Sequence, residues 1–289
     1  GAILLGLTIE NFTLRQTMQD SLFECHHYLD KVPPEVEFHE HEFYEIYFFL
    51  SGAVSYVIEG RTYQLRPGDI LLTNNEDIHR PEVREGKPYE RYVIWIRPEA
   101  IQSFHSLGDD LAACFLDAAN RSFKLIRPDS STVTHLRSLC EKIIQARRED
   151  CFAKETLAYL YLCEFLVYLN RAYFSLPDSI WQDVSENENV NQVIAYINDH
   201  LSEDLSLDRL ANHFYVSKYY LSHRFKEYTG LTLYQFIIKK RLVVARNMLR
   251  EGTPVTTVCL QCGFNDYSNF LKQFKREFGR SPKEFMRQD

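Results

Sequence analysis

Gly263-Phe264-Asn265-Asp266-Tyr267-Ser268-Asn269-Phe270, followed by Phe274-Lys275, Gly279, Ser281-Pro282 and Arg287, is the stretch on which the fold of this chain turns. Asp266 can accept hydrogen bonds from the N–H groups that a helix start leaves orphaned, and Gly279 can take the left-handed conformation that ends a helix. Between them Phe270 and Phe274 stand one turn apart, so a helix over Asp266 to Phe278 buries that side. The opposite side carries Tyr267, Ser268, Leu271, Lys272 and Lys275, a polar and partly basic stripe.

The same arrangement occurs upstream. At a shift of 49 residues, Leu221, Phe225 and Gly230 superpose on Phe270, Phe274 and Gly279, and Lys218, Tyr219, Ser222, His223 and Lys226 superpose on the outward stripe. Ser217 is the matching cap of a helix running to Tyr228. The preceding helices repeat at a shift of 48, with Leu207, Leu210 and Ala211 over Val255, Val258 and Cys259, so the second turn is one residue longer. Small residues at 211 and 259 allow the close helix crossing of a helix-turn-helix unit. Thr232 to Arg250 is apolar at 233, 236, 237, 242, 245, 248 and 249, then stops at Gly252 and Pro254, which predicts one long helix joining two such units.

These residues and their spacing resemble the signature of the AraC/XylS family of transcription regulators, over roughly residues 187 to 289. The chain departs from the family pattern at Asn269, where an aromatic is common, at Leu271, often a small polar residue, and at Phe285, often tyrosine. The resemblance implies sequence-specific binding of double-stranded DNA. Each second helix would enter a major groove, the two spaced by about one turn, ~34 Å. Tyr219, Ser222, His223, Ser268, Leu271 and Lys272 are the base-contact candidates, with lysine suited to guanine acceptors and leucine to a thymine methyl. Lys218, Lys226, Lys275 and Arg276 suit phosphate, while Arg224 and Arg246 are expected to pair with acidic neighbours or phosphate. The plainer reading of any one of these residues is a solvated polar face.

Charge divides along the chain. Residues 187 to 289 carry 15 Lys and Arg against 11 Asp and Glu, a balance of +4, within a 289-residue chain of net charge −7. The remainder, at −11, belongs to a separate domain, since this length exceeds one ordinary core. No apolar run of membrane-spanning length exists, and Gly1 to Leu5 has no basic flank before Glu10, so neither a membrane span nor a signal peptide is expected. Seven scattered cysteines fit a reducing cytoplasm, and the Cys259–Cys262 pair falls where the helical unit needs small core residues, not a metal or redox site.

The upstream part reads as strands: Phe43 to Leu50, Ala53 to Ile58, a tight turn at Glu59-Gly60, Arg61 to Leu65, a Pro67-Gly68-Asp69 turn, Ile70 to Thr73 and Tyr89 to Ile96. Their spacing suggests a barrel or sandwich. His39, His41 and Glu45 followed by Gly52, then Pro67-Gly68-Asp69 leading to His79, resemble the two motifs of the cupin barrel, in whose enzymes the equivalent residues hold a divalent metal. Strand alternation would place 39, 41, 43 and 45 on one face. Two readings stay open: a metal centre, or an effector pocket lined by His39, His41, Glu45 and His79. A regulator needs differential binding and no chemistry, so the pocket is taken, with no cofactor expected.

Ser131 to Arg148 and Lys154 to Tyr173 read as helices. The second is too apolar for one-sided burial, and either the barrel and the first helix cover it fully or one face meets a second subunit. Leu176 to Val190 reads as a linker, with Trp181 as an anchor onto a domain. The expectation is an α+β chain of two domains: a cupin-like effector and dimerisation domain over 1–175, a linker over 176–186 and a double helix-turn-helix domain over 187–289. Its function would be that of a cytoplasmic regulator, a homodimer by resemblance, answering a small effector such as a sugar. The competing readings are a metal-dependent cupin oxygenase or isomerase joined to a DNA-binding module, and a DNA-binding protein without a ligand.

Overall fold

Tyr44–Ser51, β2, is apolar on both faces because both faces are covered. Ile46 and Phe48 point into a core shared with four helices, whereas Tyr47 and Phe49 point into a second core between two sheets. The computed structural model describes residues 17–286 except 21, 33–34, 102, 104 and 107, so Gly1 to Leu5, Glu10 and Arg287 lie outside the described residues.

In chain order the strands are β1 Phe23–Asp30, β2, β3 Val54–Ile58, β4 Arg61–Gln64, β5 Ile70–Thr73, β6 His79–Val83 and β7 Tyr89–Ile96, with two-residue strands β8 His105–Ser106, β9 Asp109–Asp110, β10 Leu125–Ile126 and β11 Val184–Ser185. One sheet has the order β1-β7-β2-β5-β10 and the other β11-β4-β3-β6, while β8 and β9 form a separate ribbon. The β3–β4 turn has positive φ at both Glu59 and Gly60, the conformation a two-residue hairpin of this hand requires. Strand β1 is absent from the expected series. Its sequence, FECHHYLD, has no apolar run, yet it pairs antiparallel with β7 along its whole length, from Phe23 opposite Ile96 to Asp30 opposite Tyr89.

Helix α1 spans Pro98–Ile101 and α2 spans Ala113–Asn120; α3 spans Ser130–Arg148 and α4 spans Lys154–Phe174. Asp129 caps α3 by accepting from the Ser131 and Thr132 N–H groups. Leu136, Leu139, Cys140 and Ile143 of α3 and Leu162, Phe165, Leu166 and Leu169 of α4 close over the first sheet. The full covering considered for α4 does not occur within the described residues, because Leu157 and Leu160 stay exposed.

The chain divides into two compact units, with the division between Ser185 and Glu186. The segment expected to be a linker is folded on the β unit. Asp178–Asp183 is a 3-10 turn, β11 pairs with β4, Trp181 lies 4.1 Å from Phe123 between ring centroids, and Asp183 accepts from both Arg66 and Arg127. Ion pairing and an aromatic contact outweigh the polar, proline-containing composition that suggests a free tether.

The second unit is helical: α5 Glu188–Asp199, α6 Leu207–His213, α7 Lys218–Thr229, α8 Leu233–Arg250, α9 Val255–Gln261, α10 Tyr267–Phe278 and α11 Pro282–Met286. Thr232 and Gln235 form a reciprocal capping box at the start of α8, the long connecting helix.

Candidate DNA-binding faces and a candidate barrel site

Helices α7 and α10 are built alike. Ser217 Oγ accepts from the Tyr220 N–H at 3.1 Å, and the Asp266 carboxylate accepts from the Asn269 N–H at 2.7 Å. Leu221, Phe225, Phe270 and Phe274 are buried, and Gly230 and Gly279 end the helices at φ 75° and 74°. The turns before them also correspond. Val216 N–H donates to Ala211 O and Phe264 N–H to Cys259 O, both at 3.0 Å, so the extra residue of the second turn is Asn265. Buried Cys259 and Cys262 form no disulfide; burial raises both thiols, that of Cys262 to about 12, consistent with packing and not with reactivity.

Lys218, Tyr219, Ser222, His223 and Lys226 are exposed on α7, as are Tyr267, Ser268, Lys272 and Lys275 on α10. Leu271 differs, being half-buried against the core that includes Phe270 and Phe274. Lys218 pairs with Asp208 at 2.7 Å, and Arg224 with Glu227 at 2.8 Å. Among the described residues Lys226, Lys272 and Lys275 have no ion-pair partner, which leaves their charge available to an incoming anion. Arg246 is buried, with its guanidinium 5.3 Å from the Phe278 ring centroid. Sequence reasoning missed Tyr215. It sits in the turn before α7 at φ 55° and 96% exposed, a bulky residue in a conformation that disfavours side chains, and nothing in its identity signals this.

In the β unit, His41, Glu45 and His79 are buried together, with potential ligand atoms all within 4.8 Å of one another. Strand alternation is not what gathers them, since β2 begins only at Tyr44 and His39 forms an isolated bridge with His79. The bridge is made by two backbone hydrogen bonds, His39 N–H to His79 O at 3.1 Å and His79 N–H to His39 O at 2.9 Å, and holds the two rings at 4.4 Å between centroids. Each imidazole places Nδ1 against a carbonyl: His39 at 2.9 Å from Glu37 O, His41 at 2.8 Å from Phe43 O and His79 at 2.9 Å from Asp77 O. A carbonyl only accepts, so Nδ1 carries the proton, and a neutral ring then presents a bare Nε2.

Glu45 Oε2 accepts from Trp95 Nε1–H at 2.8 Å and lies 3.5 Å from His41 Nε2. Burial alone would raise its pKa, but His41, His79 and the Trp95 donor bring it down to about 2, so it is a carboxylate. Burial first, then His39 and His41, hold His79 well below the usual histidine range, and burial and His41 lower His39. Glu45 and His39 also line a cavity of about 50 Å³ with Tyr28, Tyr47, Tyr56 and Arg91. The Tyr47 and Tyr89 hydroxyls lie 2.6 Å apart in the same region, and the Arg91 guanidinium is 4.0 Å from the Tyr89 ring centroid and paired with Asp30. The Pro67-Gly68-Asp69 turn serves structure, because Asp69 is buried against Arg127 at 2.7 Å.

Two families match. The AraC-like ligand binding domain matches residues 25–162, and the helix-turn-helix domain matches residues 210–288. The chain is 28% identical over 251 residues to the HTH-type transcriptional activator RhaS of Enterobacter sp. (strain 638), covering 85% of this chain and 86% of that one. It is also 28% identical over 249 residues to the protein of the same name from Salmonella typhimurium, with the same coverage of each chain. Among solved structures, the C-terminal domain of AraT from Geobacillus stearothermophilus is 28% identical, with a TM-score of 0.35, over 36% of this chain and 87% of that one. ToxT from Vibrio cholerae is 15% identical, with a TM-score of 0.35, over 92% of this chain and 98% of that one.

Proposed function

Because this chain belongs to the AraC/XylS family of transcription regulators, we propose that α7 and α10 read two successive major grooves through Lys218, Tyr219, Ser222, His223, Lys226, Tyr267, Ser268, Lys272 and Lys275. The chain is a DNA-binding regulator with a small-molecule-binding domain and not an enzyme. The observation that carries the reading of the faces is the contrast within the repeat: caps, buried pairs and terminal glycines coincide, whereas the outward residues differ. Two different faces on one polypeptide read an asymmetric site. Leu271 contributes mainly to packing, given its half-buried place.

The effector enters the β unit at the cavity beside His39, His41, Glu45 and His79. Tyrosine hydroxyls, Arg91 and Glu45 offer hydrogen bonds, and Trp95 with the tyrosine rings offers flat apolar walls, a combination suited to a sugar or another small polar molecule. At about 50 Å³ the cavity holds roughly three or four waters of ~10–15 Å³ each, so a sugar enters by displacing side chains. Exposed Leu157 and Leu160 on α4 support homodimerisation through that face. The name shared by the relatives favours activation over repression, and seven free cysteines favour the cytoplasm.

Thermal-shift screening of the full chain against sugars and organic acids tests the effector reading, with binders then added to a DNA footprint. A selective stabiliser that changes the footprint is the expected result. Stabilisation by no compound, or by compounds that leave DNA binding unchanged, overturns it.

A further inference from the structure

We infer that the helical unit holds its DNA site at the centre as well as in two grooves, through a cleft that grips the sugar–phosphate strand passing between α7 and α10. The inference rests on the reading that these two helices enter successive major grooves. In that arrangement the minor groove between them faces the protein, and the strands bordering it cross the space between the helices. A cleft of about 420 Å³ draws on both helix-turn-helix units, taking Ser222 from α7 and Asn265 from the turn before α10. Thr232 and Tyr234 at the start of α8, with Ser202 and Ser206 from the segment before α6, complete its polar lining.

The lining has the chemistry of a phosphate site. The side chains of Ser202, Ser222, Tyr234 and Asn265 are exposed and make no hydrogen bond among the described residues, and hydroxyls and side-chain amides are neutral groups that hold phosphate oxygens. Arg241 supplies the charge. Its half-buried guanidinium donates from Nε to Leu201 O at 2.9 Å and from Nη2 to Glu203 O at 2.7 Å. Two neutral carbonyls therefore aim it, and among the described residues no carboxylate stands within ion-pair distance. Burial is the main influence lowering its pKa, as expected of a cation drawn from water without a paired anion. Gly263 keeps the room, since a Cβ there would come within 2.9 Å of Nη2. Glu203 and Asp204 also line the cleft; Asp204 pairs with Arg209 at 3.7 Å, and Glu203 has no ion-pair partner among the described residues and repels a passing phosphate. Position decides for a DNA strand over a small ligand. All six polar residues of the lining are exposed, whereas small-ligand sites bury most of what they bind.

The test is ethylation interference with the full chain, on a duplex that the chain itself selects from a random-sequence library. Interference at phosphates flanking two major grooves one turn apart reports on α7 and α10, and interference at phosphates bordering the minor groove between them reports on the cleft. Both are expected. In a Tyr234→Phe/Asn265→Ala protein central ethylation should lose most of its effect, and affinity should fall about three- to tenfold per contact removed. The loss should be the same for every sequence, because phosphate contacts position without specifying. Glu203→Gln should tighten binding about twofold. Central ethylation that leaves binding intact, with the flanking pattern present, overturns the cleft and spares the reading of the two grooves. A missing flanking pattern overturns the groove reading and the cleft with it. Central interference as strong in the double variant as in the unaltered chain overturns the assignment of these residues. Should that variant fail to fold, the pattern of the unaltered chain still decides.

Discussion

At Gly263 a Cβ would collide with the Leu201 carbonyl oxygen, on a backbone at φ 79°. Gly263→Ala therefore combines a left-handed alanine with a clash against backbone, and should cost about 2 kcal/mol or more of stability, read by denaturant unfolding. An unchanged midpoint would refute this account of the turn. The two exposed lysines of α10 differ in expected role. Lys272→Ala should alter the preferred base sequence, whereas Lys275→Ala should weaken all sequences alike and reduce the slope of log affinity against log salt by about 1. Equal effects of both on preference would show that the division between base and phosphate contacts is wrong. At this scale caps and glycines are legible because each residue type answers a local need. Tyr215 is not, because its conformation is imposed by the fold.

Among the elements, those with a strong local pattern are readable and those held by distant partners are not. Strands β5 and β7 match their expected ranges, since each carries an apolar run, Ile70 to Leu72 and Tyr92 to Ile96, close to a turn. Strand β1 escapes because its pairing with β7 supplies what its polar sequence does not announce. The 178–185 segment escapes likewise, and its hold on the β unit depends on Asp183. Hydrogen bonding from Arg127, with Arg66 adding to it, lowers the Asp183 pKa. A folded-state pKa below the unfolded one contributes stability above the ordinary aspartate range and loses it as pH falls through that range. In a Trp95→Phe background, which leaves Trp181 as the lone tryptophan, Asp183→Asn should shift Trp181 emission toward the solvated form at pH 7. Without that substitution the same shift should come only below about pH 4. Identical emission in both proteins at pH 7 would rule out the pairing as the clasp.

For the whole molecule, the expected state is a dimer, because Leu157 and Leu160 expose one stripe of a helix whose other stripe is buried. Sedimentation of a Leu157→Glu/Leu160→Glu protein should give monomer at concentrations where the unaltered chain is dimeric, with helix and strand content unchanged by circular dichroism. A dimeric variant would move the interface elsewhere. Among the described residues no helix is long and apolar enough to cross a membrane. The sequence by itself determined the double helix-turn-helix, its caps and its outward faces, because a 3.6-residue period and single capping residues act within one or two turns. It also named His39, His41, Glu45 and His79. Only the tertiary structure decided that three of them converge in a buried space, that every one of the three imidazoles has Nδ1 tied to a carbonyl, and that the supposed tether is clasped to the β unit. Those outcomes depend on strand register and on contacts between residues dozens of positions apart, which no local pattern encodes.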